Sequence, residues 1–522
     1  MAYVDLQEPM GVQTTSKLEK VLRKYREAEI LRDNWKHKYE EAYEYTMTQR
    51  ESFFDESAAE RRTDKIFDET AVVGIQEFAS RLQAGMVPTF ARWANLEAGM
   101  EIPPEATEEV NTHLDKITNY IFELLSSSNF NQEVHECFMD LAVGTGVLMI
   151  EEGDSVNPIN FNAVPLPQVS LLNGPANKVD TVFRRRKCKF SLVPVLYPDA
   201  IIPESLSSQM DPEKNCLIID GVYRDYSDMN MEKYKRCVIL HEAKQIILEE
   251  EYEGVGSSPY VVFRWNKASG EVYGRGPVFN AMAAIKTCNL TVQLILENAQ
   301  LAVSGIYQIE DDGVVNPDNI SLVPGTLIPI APGSRGLVPI EAAGRFDVAQ
   351  LVLEDMRGNI KKALYMETLG RPEGTPMTAT EVAERMADLS RQIGSSFGRL
   401  QAEFVLPTLR RVIRILVKQG RIEMPFINGR EVKVQAVSPL SRAQFNQDIT
   451  DINRFNEIIG TTFGPQMLNL IVNQEELARH LAKLMNITEK LLRDKAEQQQ
   501  MADEIAQMAQ AGQMNGQEVA QQ

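Results

Sequence analysis

In the run ASGEVYGRGPVFNAM, Gly270, Gly274 and Gly276 stand just ahead of Pro277, at the mouth of a long stretch with almost no charge. Glycines in that place could let backbone N–H groups close around a phosphate, with a helix N-terminus behind them. The spacing argues otherwise. The third glycine of G-x-G-x-x-G is missing, and G-x-x-x-x-G-K-[ST] is absent. Pro277 also removes an N–H that a phosphate would want, while suiting the first turn of a helix. The run therefore reads as a tight turn feeding a helix, with Gly274 and Gly276 expected to be structural and intolerant of alanine, the more so if either needs positive φ.

The rest of the chain offers little other chemistry. His37, His113, His135, His241 and His480 form no zinc-protease pattern, since His241-Glu242 lacks a histidine four residues after His241. There is no G-x-S-x-G elbow. No carboxylate pair sits in an apolar setting that would split two pKa values. No catalytic residue, cofactor or metal ligand is expected.

The elements follow from periodicity. Residues 13–50 read as an amphipathic helix, with Ser16 and Glu19 at the spacing of a capping box. Further helices are expected over about 64–86, 107–126 and 131–141, broken by Gly144-Thr145-Gly146. From 147 to 265 the β-branched runs VLMIEE, VFRRRKCKF, CLIIDGVY, RCVILHE, QIILEEEY and YVVFRW, punctuated by Gly, Pro, Asn and Asp, read as strands. A helix over 277–303 follows, then a Gly/Pro-dense segment of short strands, a helix over 346–366, and a loop, ETLGRPEGTPM. A long helix opens at Thr378, where Thr378 and Glu381 again have capping-box spacing, and is expected to kink at Pro407. A short extended segment and more helix, about 442–496, complete an α+β chain that is mainly helical.

The helix over 277–303 carries only Lys286 and Glu297 as charges. Low charge all round means neighbours on several sides: either a central core helix, or one helix in a ring of identical helices. Over 522 residues the formal charge is −19, so general adhesion to nucleic acid is excluded. Five scattered cysteines suggest a reducing compartment. No signal peptide is read at the N-terminus, and a membrane span at 268–303 would have to bury Lys286, Asn289, Gln293, Glu297, Asn298 and Gln300 in lipid.

Two long runs carry a resemblance. FRWNKASGEVYGRGPVFNAM and PMTATEVAERMADLSRQIGSSFGRLQAEFVLPTLRRVI are similar to the two signatures of the portal proteins of short-tailed phages, the head-to-tail connector family of podoviruses. RRTDKIFDETAVVGIQEFASRLQAGMVPTFARW is a weaker match. The resemblance implies a ring of twelve subunits around a channel at one capsid vertex of the virion, assembled in the host cytoplasm. Double-stranded DNA would be packaged through it by a terminase motor, retained, and released on infection. It implies a wing over 1–275, stem helices over 276–303 and 346–366, a clip over 304–345 and a tunnel loop over 367–377. The long kinked helix and inner wing would cover 378–440, a helical crown 441–497 and a Gln-rich flexible tail 498–522. The partners implied are the terminase large subunit, the major capsid and scaffolding proteins, a tail adaptor, internal core proteins and non-specific DNA, with no membrane. The alternatives are a non-portal helical structural or scaffold protein, or a nucleic-acid-processing enzyme.

Twelve copies would carry roughly −230 formal charges, a field that keeps DNA off the walls. Arg357, Lys361 and Lys362 on the second stem helix are candidates for a basic ring in that channel, set against pairing with Glu354, Asp355 or an adjacent stem. In the loop GRPEGTP, Arg371 is the one base and Glu373 the one acid, so contact with DNA would be weak and unspecific. Deleting Glu373-Gly374 is expected to leave ring assembly intact while DNA packaging or retention falls. Normal packaging by the shortened loop would show that it does not gate a channel.

Overall fold

The computed structural model describes residues 10–48, 66–89, 91–99, 104–175, 177–203, 211–228, 231–304, 307–309, 332, 337–339, 346–366, 394, 396–424, 432–436, 449, 452–459, 461–462 and 472–484. The expected tunnel loop from 367 on, the capping box at Thr378, Arg371, Glu373 and the Gln-rich tail lie outside these residues.

In chain order the elements begin with α1 (Met10–Thr46), α2 (Thr70–Met86), β1 (Ala94–Ala98), α3 (Pro104–Ser127) and α4 (Phe130–Val143). Strands β2 (Thr145–Glu152), β3 (Ile159–Ala163), β4 (Val169–Asn173) and β5 (Val179–Lys189) follow, then a single turn, α5 (Val193–Leu196). Next come β6 (Asn215–Asp225), β7 (Lys233–Leu240), β8 (Gln245–Glu253), β9 (Tyr260–Arg264) and α6 (Pro277–Ser304). The chain continues through β10 (Tyr307–Ile309), β11 (Leu337–Pro339), α7 (Phe346–Ala363), α8 (Leu406–Lys418), β12 (Val432–Ala436) and α9 (Gln474–Leu484). The mixed α and β class holds. The capping box at Ser16 does not: α1 already begins at Met10, so Ser16 lies inside the helix.

Two compact units result. The first takes residues 1–83, 127–372 and 395–421. Its strands form two antiparallel sheets, β3-β2-β9 and β4-β5-β6-β7-β8. The larger sheet is apolar on both faces because its strands alternate two sets of apolar side chains. Phe183, Ile219, Cys237 and Ile239 meet Val21, Tyr25 and Ala28 of α1. Cys216, Ile218, Val238 and Leu240 meet Phe190, Val193 and Tyr197 around α5. The second unit takes 84–126, 373–394 and 422–522. In it β1 pairs antiparallel with β12, Trp93 packs edge-on to Phe122 at 5.1 Å, and Arg92 bonds Asp115 at 2.9 Å. Residues 84–126 thus group with the C-terminal part rather than with the β block that precedes α6.

The expected disturbance at Pro407 takes the form of a π-helical turn, Gln401–Val405, immediately before α8. Proline has no N–H to give to the carbonyl four residues back, so the helix must rearrange nearby. The Leu406 N–H reaches back to Gln401 O across the wider turn. The same turn presents Glu403 to Arg264 of β9: the Arg264 N–H and Nε each bond Oε2 at 3.1 Å, and Nη2 bonds Oε1 at 2.7 Å. Arg264 is almost wholly buried, so its charge depends on that two-pronged partner.

Candidate functional site

The turn that launches α6 is built from backbone packed on backbone. The Gly274 N–H donates to Thr145 Oγ1 at 2.8 Å. The Arg275 N–H donates to Asn266 O at 2.6 Å, and the Gly276 N–H to Val143 O at 2.9 Å. Tyr39 Oη of α1 donates to Gly274 O at 2.6 Å. Every N–H a phosphate would need before Pro277 is already engaged, so the turn is structural.

Gly274 and Gly276 are needed here without positive φ. Gly270 alone of the three has positive φ, 84°. At Gly274 an added Cβ would strike Gly144 O, and at Gly276 it would strike Ala142 O, both inside the 3.0 Å that real Cβ atoms keep. Gly144 meets Gly274 in the same way from the other side. Close approach, not handedness, fixes these residues. Pro277 opens the helix as expected. Arg275 points outward, pairs with Glu271 (Nε–Oε2 3.0 Å) and lies over the Trp35 ring at 5.2 Å.

Helix α6 has two halves. Val278, Ala281, Ile285, Cys288 and Asn289 are buried, and after Asn289 no residue through Gln300 is. Leu290 is 55%, Leu294 49% and Leu296 52% exposed. It is therefore not a central core helix. By length and composition alone Pro277–Gln300 could cross a bilayer, yet its first half is committed to protein, and Lys286 pairs with Glu41 of α1.

Helix α7 packs alongside α6, and both stand on the short segment before α2. Asn289 Oδ1 accepts the N–H groups of Phe67 at 2.7 Å and Asp68 at 3.2 Å. Arg357 of α7 grips Asp68 Oδ2 through Nε at 2.9 Å and Nη2 at 2.7 Å. Arg357 thus pairs with neither Glu354 nor Asp355; its charge anchors α7. Lys361 and Lys362 are exposed and make no ion pair among the described residues. Helix α7 ends in a Schellman turn: the Met366 N–H bonds Lys361 O at 2.8 Å and the Tyr365 N–H bonds Lys362 O at 3.2 Å. Tyr365 takes the left-handed position (φ 56°) usually given to glycine, and is held by Arg81 Nη1 on its carbonyl at 3.1 Å and by the Trp265 ring at 5.7 Å.

Among the described residues no cluster of His, Cys, Asp and Glu could hold a metal ion. What the site offers is mechanical: a helix low in charge, α6, paired with the charged α7 on a polar root. Asp68, Asn289 and Glu403 were missed by sequence reasoning. Their partners lie 289, 221 and 139 residues away, so no local spacing marks them.

A sequence model described as bacteriophage head to tail connecting protein matches residues 18–492. The chain belongs to that family. It is similar to the "Probable portal protein" of Bordetella phage BPP-1, with 22% identity over 95% of this chain and 94% of the relative. It is also similar to the portal protein of Escherichia phage T7, with 20% identity over 83% and 81%. Among solved structures it is similar to a chain in the virion of a native gene transfer agent particle, 12% identical, with 75% of this chain and 88% of that one covered at a TM-score of 0.33. A chain in the neck of the native particle computed with C12 symmetry matches at 11% identity over 75% and 88%, also at a TM-score of 0.33.

Two outcomes are expected of this connector. Gly276→Ala should lower stability by about 1–3 kcal/mol through overpacking, whereas Gly358→Ala in α7, where nothing lies within 4 Å of the added carbon, should raise it by up to about 1 kcal/mol. Equal denaturation midpoints for the two variants would refute the close-approach argument. The second concerns Asp68. Burial pushes its carboxyl up, but hydrogen bonds from Thr70 and Arg357 more than offset this and hold it below the ordinary 3.8. A depressed carboxylate contributes stability that is present above the ordinary value and lost as pH falls through its folded value. With Arg357 partly exposed the contribution is about 1 kcal/mol. The stability difference between wild type and Asp68→Asn should therefore be full near about pH 6 and shrink as pH falls below the ordinary 3.8 through the folded value; a difference that does not change with pH down to acid unfolding would show that the charge is not what anchors α7.

Proposed function

We propose that this connector is the subunit of the portal ring through which double-stranded DNA enters and leaves the phage head. The observation that carries the reading is α6. Beyond Asn289 it leaves Leu290, Leu294 and Leu296 exposed, and Leu351 of the adjoining α7 is 71% exposed. A helix low in charge, rooted in the protein but with exposed leucines beyond its buried half, suits further apolar surface from outside the subunit. Identical neighbours around a closed rotation supply it, each covering the next. On this reading α6 and α7 are the stem, and the segment between them, including the β10–β11 pair, is the clip that meets the terminase motor and later the tail. The parts before α6 are the wing, and the chain after 378 forms the inner wing and crown.

The channel follows from charge. A ring of acidic subunits repels DNA from its walls, and Lys361 and Lys362, without an ion pair among the described residues of the subunit, are the candidates for a basic ring within it. The wider partners of such a portal would be capsid and scaffolding proteins, internal core proteins and a tail adaptor, with assembly in the host cytoplasm. We read the chain as structural rather than enzymatic, as the connector family implies. Negative-stain imaging and native mass spectrometry of the purified chain should show closed rings with a central hole, and Leu290→Asp plus Leu294→Asp should abolish them. A wild-type chain that stays monomeric would sink the reading.

A further inference from the structure

The first half of α1 breaks with the acidic character of the chain. Residues 17–26 hold Lys17, Lys20, Arg23, Lys24 and Arg26 against one acid, Glu19, in a chain that totals 54 basic and 73 acidic side chains. The fold turns this composition into a surface. Val21, Tyr25 and Ala28 are buried on the five-stranded sheet, which forces the side chains between them outward. Lys20, Arg23 and Arg26, at successive spacings of three, are all exposed. They span about 9 Å of helix.

Among the described residues these three cations have no ion-pair partner. Lys17 lies 3.8 Å from Glu249 of β8, and Lys24 is spent over the Tyr223 ring at 4.3 Å. Glu19 and Glu27 share the helix with Lys20, Arg23 and Arg26 but form no ion pair with them. The neighbouring basic residue of β5, Arg185, turns to Glu29 of α1 at 3.9 Å, one helical turn beyond the row. The row 20-23-26 is left in solvent. Unpaired like charges on one helix face repel and contribute nothing to stability. Exposed, convergent and unspecific, they suit a polyanion.

We infer that this face of α1 is a second DNA-contacting surface, distinct from the α6–α7 pair, which binds the phosphate backbone of double-stranded DNA without reading its sequence. The inference rests on the portal reading for the presence of DNA. Its chemistry is that of backbone positioning: three flexible cations, no aromatic side chain among them and no helix end to enter a groove. Affinity at such a face comes from counterion release and is set by the number of phosphates engaged.

The test is fluorescence anisotropy of a labelled duplex of about 30 base pairs with the full-length protein over a salt series, for wild type, Lys20→Ala plus Arg23→Ala plus Arg26→Ala, and Lys361→Ala plus Lys362→Ala. Every phosphate that a variant no longer neutralises should flatten the plot of log affinity against log salt by about 0.9. The α1 triple variant should therefore flatten by about 2.7, so that wild-type affinity falls about 40-fold more than the variant's between about 50 and 200 mM salt. All samples are imaged in parallel. Rings in every sample with an unchanged slope in the triple variant would overturn this inference and leave the portal reading standing; absence of rings in wild type would sink the portal reading itself. Loss of rings confined to the triple variant would assign the row to contact with a second copy of the chain, and wild-type binding to polyglutamate but not to the duplex would assign it to an acidic protein. Either result overturns DNA as the partner.

Discussion

Backbone touches backbone where α4, β2, β9 and α6 meet, and the rest of the first unit is arranged around that contact. Gly144 follows α4 and precedes β2; its carbonyl accepts the Trp265 N–H at 3.1 Å just past β9, while Gly274 lies directly against it. Four elements separated by up to about 130 residues of chain can converge only if no side chain stands between them. The hydrogen bonds of Gly274 and Gly276 then run to Thr145 and Val143, so the direction in which α6 leaves is set by the end of α4. A helix that must project its apolar surface away from its own core needs such a fixed origin.

Charge does the remaining positioning, and it does so with buried pairs. Arg236 meets Asp220 through Nε at 3.0 Å and Nη2 at 2.7 Å in the larger sheet, with the hydroxyls of Tyr197 and Tyr260 each 3.5 Å from the same carboxylate. Arg411 of α8, its pKa pulled down by burial, gives its N–H groups to the carbonyls of Ile150 at 3.1 Å and Ser257 at 2.8 Å. Such groups add little net stability over apolar packing, but each leaves an uncompensated charge if its partner shifts. They penalise misregistered sheets and misdocked helices more than they reward the correct one. Arg264–Glu403 extends this to the π-helical turn ahead of Pro407: the turn changes the direction in which Glu403 faces, and Arg264 is where it must face.

How much of this was legible depended on distance along the chain. Strands β5 to β9 announced themselves because their β-branched runs are long or unbroken. Strands β1, β3 and β4 did not: β9 is as short at five residues, but its apolar residues are contiguous, whereas Ala94–Ala98, Ile159–Ala163 and Val169–Asn173 carry Asn, Glu or Ser between their apolar positions. Ser16 and Glu19 showed that a capping spacing is a local pattern, and a local pattern cannot tell a helix start from a helix interior. Gly274, Gly276 and Pro277 were legible as a turn, but the reason for the glycines was hidden because Gly144 and Ala142 lie more than a hundred residues away. Arg357 was legible as a cation on α7; its use was not, because Asp68 is 289 residues upstream.

The exposed half of α6 is the point at which a single chain stops being a sufficient description. Its first half obeys the ordinary rule for a helix on a globular core: Val278, Ala281, Ile285 and Cys288 recur at spacings of three, four and three, and are buried. Past Asn289 the sequence keeps the same low charge, but the core ends and the burial ends with it. Nothing in local propensity explains why residues 290–300 keep so little charge once they are no longer buried; polar residues would form the helix as well. On the portal reading proposed above, that composition serves a neighbouring copy of the chain. The charged root, Asn289 and Arg357 on the segment at 67–68, lies at that boundary, where it fixes the angle of both helices before any neighbour arrives. On the portal reading, an angle fixed in the subunit would let one interface, repeated by rotation, close on itself instead of winding into an open helix.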